Sequence, residues 1–285
     1  MKIGIIGGAG FIGGELVKHI ENNGHEAVVI ERDLDVFSLN GREKAKEILS
    51  LCDAMAFLAA KRPDICFTME EYIFNLTLAE EYFRISAEAG IDNIVTVSSR
   101  SVYSGMGTPW KEETFSTPLS LYGASKQAVD SIALLYNRQY GLKIKSLRIA
   151  QVIGMGERKG YLINTLIDNA IAGRKQTIFG KGIGKRQYIY IKDVCDAILH
   201  SLIFKASVEG IFNISMSNNI SIIELAEIIN EVFGNGSGIE LKEDRPEDTA
   251  EYLMDVSKTE RVLCWKPSYD LRRAFADIRE SWSED

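Results

Sequence analysis

Short apolar runs alternate with longer segments of helical period through the first half of the chain. Ile3 to Ile6, Ala27 to Ile30, Ala54 to Leu58, Ile94 to Val97 and Ile144 to Leu147 read as strands buried on both faces. Between them the pattern predicts helices near 11–23, 41–50, 70–89 and 119–140. Alternation of this kind is how successive strand-helix-strand units of a parallel α/β sheet read. The 70–89 segment carries Ile73, Leu76, Leu78, Tyr82, Phe83 and Ile85, an apolar surface broad enough to pack on a sheet and on a second subunit. The second half changes character. Ser221 opens a helical stretch through Phe233, the run from Gly234 to Gly238 breaks it, and short helices fill the end, predicting a smaller lobe over the sheet's carboxyl edge.

Composition narrows the class. The 285 residues suffice for one large α/β domain with a smaller companion, 46 % of them hydrophobic and 26 % charged, and no apolar stretch approaches the length of a membrane span. No membrane partner is expected. The N-terminus runs straight into the first predicted strand, which leaves no room for a signal peptide and suggests a cytoplasmic location. Cys52, Cys66, Cys195 and Cys264 lack metal-ligand spacing, and no metal site is expected. A net charge of -7 argues against a nucleic-acid partner, so any anionic ligand must be held by a few local donors.

The segment from Gly7 to Gly13, Gly-Gly-Ala-Gly-Phe-Ile-Gly, sits between the first strand and the first helix and meets the dinucleotide fingerprint at Gly8, Gly10 and Gly13. A side chain there would block both the tight turn and the approach of a pyrophosphate, which rests on the helix N-terminus. The fold class expected is therefore a Rossmann-type doubly wound parallel sheet with a smaller C-terminal α/β substrate lobe. Glu31 stands eighteen residues beyond Gly13, placed to accept from the adenosine ribose hydroxyls, which favours NAD. Arg32 follows at once and is able to hold a 2′-phosphate instead, leaving NADP open.

Tyr122 and Lys126 are four residues apart at the start of a predicted helix and so share a face. A free tyrosine titrates near pH ~10, but a neighbouring ammonium and a positively charged nicotinamide favour its phenolate. Lys126 is also placed to hold the nicotinamide ribose. The strand ending at Val97 runs into Ser98-Ser99-Arg100-Ser101-Val102-Tyr103, which delivers hydroxyls to the sheet edge where ligands bind.

With these motifs the chain resembles the extended short-chain dehydrogenases/reductases of the NAD-dependent epimerase/dehydratase family, which process nucleotide sugars. Further matching segments are Phe57-Leu58-Ala59-Ala60, similar to the family's fourth strand; Asn75; Leu147 to Gly156; Gly180-Lys181-Gly182; Arg186 to Val194; Arg245-Pro246; Asp255; and Leu263 to Pro267. The resemblance implies a nucleotide-diphosphate sugar as substrate. It implies a Rossmann part over residues 1–152 plus 187–214 and a substrate lobe over 153–186 plus 215–285. It assigns Ser99, Tyr122 and Lys126 to catalysis. It implies that Gly7, Gly10, Phe11, Ile12, Gly13, Glu31, Arg32, Leu58, Ala59 and Ala60, with Tyr122 and Lys126, contact the cofactor. It likewise implies that Ser99, Arg100, Gln151, Arg186 and Arg245 contact the substrate, the last two arginines gripping its diphosphate with their two-pronged geometry.

Departures from the family pattern refine the expected reaction. Dehydratases place an acidic pair just after the catalytic hydroxyl, where this chain has Arg100 and Ser101, so a 4,6-dehydratase is disfavoured. No separate third strand with an acid for the adenine is evident between Glu31 and Asp53, and Asp33 or Asp35 is the candidate substitute. The leading expectation is an NAD-dependent nucleotide-sugar 4-epimerase working through a 4-keto sugar. An NAD(P)H-dependent 4-keto-sugar reductase is the alternative, and a catalytically silent cofactor-binding regulator comes last. The resemblance further implies a homodimer through the helices near 70–89 and 119–140.

Overall fold

The apolar runs pair side by side in a single sheet in which every neighbour is parallel. The structure, a computed structural model, describes residues 1–62, 67–103, 107–157, 160–217, 219–243 and 247–282. In chain order the first half comprises β1 (Lys2–Ile6), α1 (Phe11–Asn22), β2 (Glu26–Ile30), α2 (Leu39–Ser50), β3 (Ala54–Phe57), α3 (Met69–Ala89), β4 (Asn93–Ser99), α4 (Leu121–Tyr140) and β5 (Lys143–Ile149). The second half adds β6 (Gln151–Ile153), α5 (Leu162–Ile171), β7 (Gln176–Phe179), β8 (Lys185–Arg186), β9 (Tyr188–Tyr190), α6 (Ile191–Ile203), β10 (Gly210–Ile214), β11 (Ile220–Ser221), α7 (Ile222–Phe233), β12 (Ile239–Lys242) and α8 (Leu271–Trp282).

The central sheet has six strands in the order β10-β5-β4-β3-β1-β2. From β1 the chain winds outward to β2, then returns to lay β3 on the other side of β1. That reversal is a topological switch point, and the crevice beyond the carboxyl ends of β1 and β3 is where such a sheet takes a ligand. No strand lies between Glu31 and Asp53, so β2 is the sheet's edge, and the run resembling the family's fourth strand is third here.

Alternate residues of the strands fill two cores, one on each face of the sheet. Ile3, Ile5, Val95, Val97 and Leu147 pack with Leu16, Ile20, Val194 and Ile198 of α1 and α6. Ile6, Met55, Phe57, Ile94 and Ile144 pack with Leu49, Ala79, Phe83, Val129 and Ala133 of α2, α3 and α4. The strands are thus covered on both sides, which is why they read as apolar runs rather than as an in-out alternation.

Helix ends follow local chemistry. The α3 N-terminus is closed by a capping box between Thr68 and Glu71, and α7 by the same arrangement between Ser221 and Glu224. Ser38 caps α2, setting its start two residues before the expected one, and Ser120 caps α4, setting its start two residues after. Beyond the sheet, β7 pairs with β12, β8 with β11 and β6 with β9, while α7 packs against α5 and α8. Among the described residues no helix is long and apolar enough to cross a membrane.

Candidate active site

The glycine turn closes on itself and on the end of β3. Gly7 takes a φ of +91°, and a Cβ there would lie 2.8 Å from the Ala59 nitrogen. A Cβ on Gly13 would come within 2.1 Å of the Gly7 carbonyl oxygen. Gly10 differs, because an added Cβ would meet only that same oxygen, at 3.3 Å, and otherwise open space. It also begins α1 with no side chain capping the first N–H groups, those around Phe11, Ile12 and Gly13. An uncapped helix N-terminus behind an open glycine is a cradle that suits a dinucleotide's pyrophosphate.

The other expected cofactor residues border this cradle. Ile6 is in register with Ile30, so Glu31 and Arg32 leave the sheet beside the turn, both exposed. Leu58 continues the β1 ladder by donating to the Ile6 carbonyl at 2.9 Å, and Leu58, Ala59 and Ala60 line the crevice half-buried. Asp35 spends a carboxylate oxygen on the Phe37 N–H, which ties it into the turn before α2.

Ser99 ends β4, and its hydroxyl accepts from the Ser101 N–H at 3.1 Å and faces the Tyr122 hydroxyl. Tyr122 stands in the first turn of α4, whose start docks tightly on the segment after Ser99. A Cβ on Gly123 would lie 2.1 Å from the Ser101 carbonyl oxygen, so only glycine permits this approach. The Phe67 ring meets the Tyr122 ring edge-on with centroids 5.6 Å apart. Lys126 is buried and donates to the Val97 carbonyl at 2.8 Å, with its ammonium 5.9 Å from the Tyr122 ring centre.

Electrostatics single out a residue that no motif marks. Burial pushes the Tyr122 hydroxyl above its ordinary pKa, and the Arg62 charge and the facing Ser99 hydroxyl work against the rise. Burial pushes the Lys126 ammonium down to about 8, with Asp130 opposing and Arg62 adding to the fall. Arg62 is therefore the cation that most favours the Tyr122 phenolate, a part expected of Lys126. Its carrier loop is fixed by Asn75, which accepts from the Lys61 N–H at 2.8 Å and donates to the Lys61 carbonyl at 3.0 Å. Both Arg62 terminal nitrogens lie 3.4 Å from Glu157 Oε1. Burial works against the Arg62 charge, but Glu157, Tyr122 and Tyr161 outweigh it and hold its pKa above the ordinary value.

The expected substrate residues are placed unevenly. Gln151 opens β6, opposite Tyr188 of β9, half-buried. Arg186 donates to Asp248 Oδ2 and to the Ala250 carbonyl, each at 2.7 Å, and its guanidinium lies 4.2 Å from the centre of the Tyr252 ring. Arg100 lies over the same ring at 5.0 Å. Arg245 and Cys66 fall outside the described residues. Arg62, Gly123 and Tyr252 were not legible as site residues, since each gains its place from contacts far along the chain.

A parallel sheet with an open glycine cradle at its switch point, and a serine, a tyrosine and a buried lysine gathered nearby, define a dinucleotide-dependent enzyme of the short-chain dehydrogenase/reductase type. The chain belongs to the NAD dependent epimerase/dehydratase family, whose model matches residues 3–215, and its cofactor is NAD. In structure it is similar to the UDP-N-acetylglucosamine 4-epimerase from Bacillus cereus, with a TM-score of 0.90, 30 % identity, and coverage of 99 % of this chain and 96 % of that one. In sequence it is 28 % identical to a putative UDP-glucose 4-epimerase of Methanocaldococcus jannaschii, over 96 % of each chain. It is also 25 % identical to UDP-glucuronic acid decarboxylase 3 of Arabidopsis thaliana, over 99 % of this chain and 89 % of that one.

Proposed function

We propose that the protein is an NAD-dependent 4-epimerase of a UDP-sugar. The observation that carries this reading is the convergence of Ser99, Tyr122 and Lys126 at the carboxyl edge, where Arg100 and Ser101 stand in place of an acidic pair able to eliminate water. Epimerases among the similar proteins support it.

In this reading the Tyr122 phenolate takes the proton of the sugar's C4 hydroxyl and later returns it. Bound NAD supplies a reversible acceptor for the C4 hydride. The Ser99 hydroxyl, which faces Tyr122, hydrogen-bonds the oxygen at C4 as it becomes a carbonyl. Lys126, held by Val97, keeps one donor for the strand and has others for the nicotinamide ribose. Phe67 fixes the Tyr122 ring, and Arg62 favours its phenolate. Gly7, Gly10, Phe11, Ile12, Gly13, Glu31, Leu58, Ala59 and Ala60 hold the cofactor. Gln151 and Arg186 serve the substrate. Residues 1–152 with 187–214 serve the cofactor, and 153–186 with 215–285 the sugar nucleotide.

The test is to incubate purified protein with UDP-sugars without added nicotinamide cofactor and follow the sugar by NMR. The expected result is a new C4 epimer with no net cofactor consumption. Silence across the sugars, followed by activity on 4-keto sugars with NAD(P)H, would overturn the reading in favour of a reductase, for which the exposed Arg32 beside Glu31 offers a 2′-phosphate site. The same reading includes a homodimer through α3 and α4, which pack side by side and expose Ile73, Leu135 and Tyr140. A monomer by light scattering would refute it.

A further inference from the structure

The loop between β7 and β8 wraps its backbone around a side chain from far along the chain. Gly180 and Gly182 take φ values of +80° and +69°, a left-handed conformation that turns N–H groups of the loop to one side. Three of those groups meet one carboxylate. Glu247 Oε2 accepts from the Lys181 N–H at 2.7 Å, and Oε1 accepts from the Ile183 and Gly184 N–H groups at 2.6 and 3.0 Å. Glycine also permits the close fit. A Cβ on Gly180 would lie 2.5 Å from the Glu247 Cβ, and one on Gly184 would lie 2.2 Å from the Asp248 carbonyl oxygen. Burial works against the Glu247 charge, but the three N–H groups outweigh it and hold the carboxyl below its ordinary pKa.

The segment that Glu247 begins is the one that fixes Arg186. Arg186 donates from Nη1 to the Lys185 and Ala250 carbonyls, at 2.9 and 2.7 Å, and from Nη2 to Asp248 Oδ2 at 2.7 Å, and none of these bonds uses its Nε donor. Asp248 is itself held, since Oδ1 accepts from the Ala250 N–H at 3.0 Å and Oδ2 from the Tyr252 hydroxyl at 2.9 Å. The far end of the segment is tied down by Met254, whose N–H donates to Gln187 Oε1 at 2.6 Å. The near end is joined to the β7–β8 loop by Glu247.

We propose that Glu247 is a positioning residue for the substrate: by clasping the β7–β8 loop it sets the 248–252 segment, and through that segment it sets the Arg186 guanidinium that holds the diphosphate. This role rests on the assignment of Arg186 to the substrate diphosphate. An acid beside such an arginine would ordinarily weaken its hold on an anion, but the Glu247 carboxylate is engaged by three backbone N–H dipoles that offset its charge. An arginine fixed before the ligand arrives loses less side-chain freedom on binding, which raises affinity without adding a contact.

Calorimetric titration of the NAD-loaded protein with UDP tests this role without turnover. E247Q keeps the size of the side chain, removes its charge and sets an amide NH2 against backbone N–H groups that need an acceptor. It should weaken UDP by about threefold to thirtyfold and leave NAD affinity unchanged, which also shows that the variant is folded. If E247Q does not fold, E247D, which keeps the charge on a shorter side chain, carries the same comparison. R186Q should weaken UDP as well, and adding E247Q to R186Q should weaken it no further, because Glu247 acts through Arg186. With a UDP-sugar the E247Q factor should appear in KM and not in kcat. Unchanged or tighter UDP binding by E247Q overturns the proposal, as does a full additional loss in the double variant, which a general loosening of the lobe would produce. If R186Q leaves UDP affinity unchanged, the diphosphate assignment fails and takes this role with it, while the 4-epimerase reading is still decided by epimer formation.

Discussion

The Lys126 ammonium donates to the Val97 carbonyl at 2.8 Å, and this single bond fastens the first turns of α4 to β4 two residues before Ser99. Through it the helix that carries Tyr122 and the strand that carries Ser99 hold one registration. The lysine expected from sequence to tune Tyr122 thus acts at least as much as a spacer, and the charge that most favours the phenolate comes from Arg62.

Removing the tyrosine proton acceptor should stop the chemistry without harming the cofactor site. Tyr122→Phe is expected to lower kcat by about a hundredfold to ten-thousandfold, the usual contribution of a positioned acid-base group, while NAD binding measured by fluorescence titration stays unchanged. Unchanged turnover would remove Tyr122 from the mechanism.

Gly123 controls how closely α4 approaches the turn after Ser99. A methyl there would sit 2.1 Å from the Ser101 carbonyl oxygen, a backbone atom that cannot swing aside. Gly123→Ala should therefore move the helix start, cost about 1 to 3 kcal/mol of stability by denaturant titration, and reduce kcat more than KM. A variant as active and as stable as wild type would show that the contact is not needed.

The Arg62 charge favours the Tyr122 phenolate and disfavours the Lys126 ammonium. Replacing it by glutamine removes both influences, and both groups then titrate at higher pH. Since the reaction needs the phenolate, the rising limb of the pH profile of kcat/KM should move to higher pH in Arg62→Gln. An unmoved limb, with activity merely reduced, would assign Arg62 a structural part only.

Lys145 gives a pH dependence of stability away from the site. It is fully buried on β5 and donates to Asn93 Oδ1 at 2.8 Å. Burial pushes it from an ordinary value of 10.5 down to about 7, Asp92 opposing and Lys143 adding to the fall. Between those values the unfolded chain carries one more proton than the folded one, so this contribution to stability rises with pH across the window and the penalty is complete below it. The difference in Tm between wild type and Lys145→Met should therefore shift in favour of wild type as the pH is raised from about 7 to about 9.5. A difference that does not change with pH would show that Lys145 titrates normally.

The five strands of the first half, the four helices between them and the glycine turn were legible in the sequence, which also offered Tyr122 and Lys126 as candidates and, through the family resemblance, Ser99. Their signals are local: apolar runs, a helical period, glycines between a strand and a helix, and two side chains one turn apart. The boundaries that moved, at α2 and α4, were decided by Ser38 and Ser120 capping nearby N–H groups. Only the tertiary structure decided the charges around those elements. It set Arg62 against Tyr122, gave Arg186 to Asp248, laid Arg100 over the Tyr252 ring, and buried Lys145. The physical reason is that a backbone pattern is written in neighbouring residues. The pKa of a side chain and the partner of a charge depend instead on groups brought close by the crossing of distant strands and loops, where burial raises the cost of any charge left unpaired.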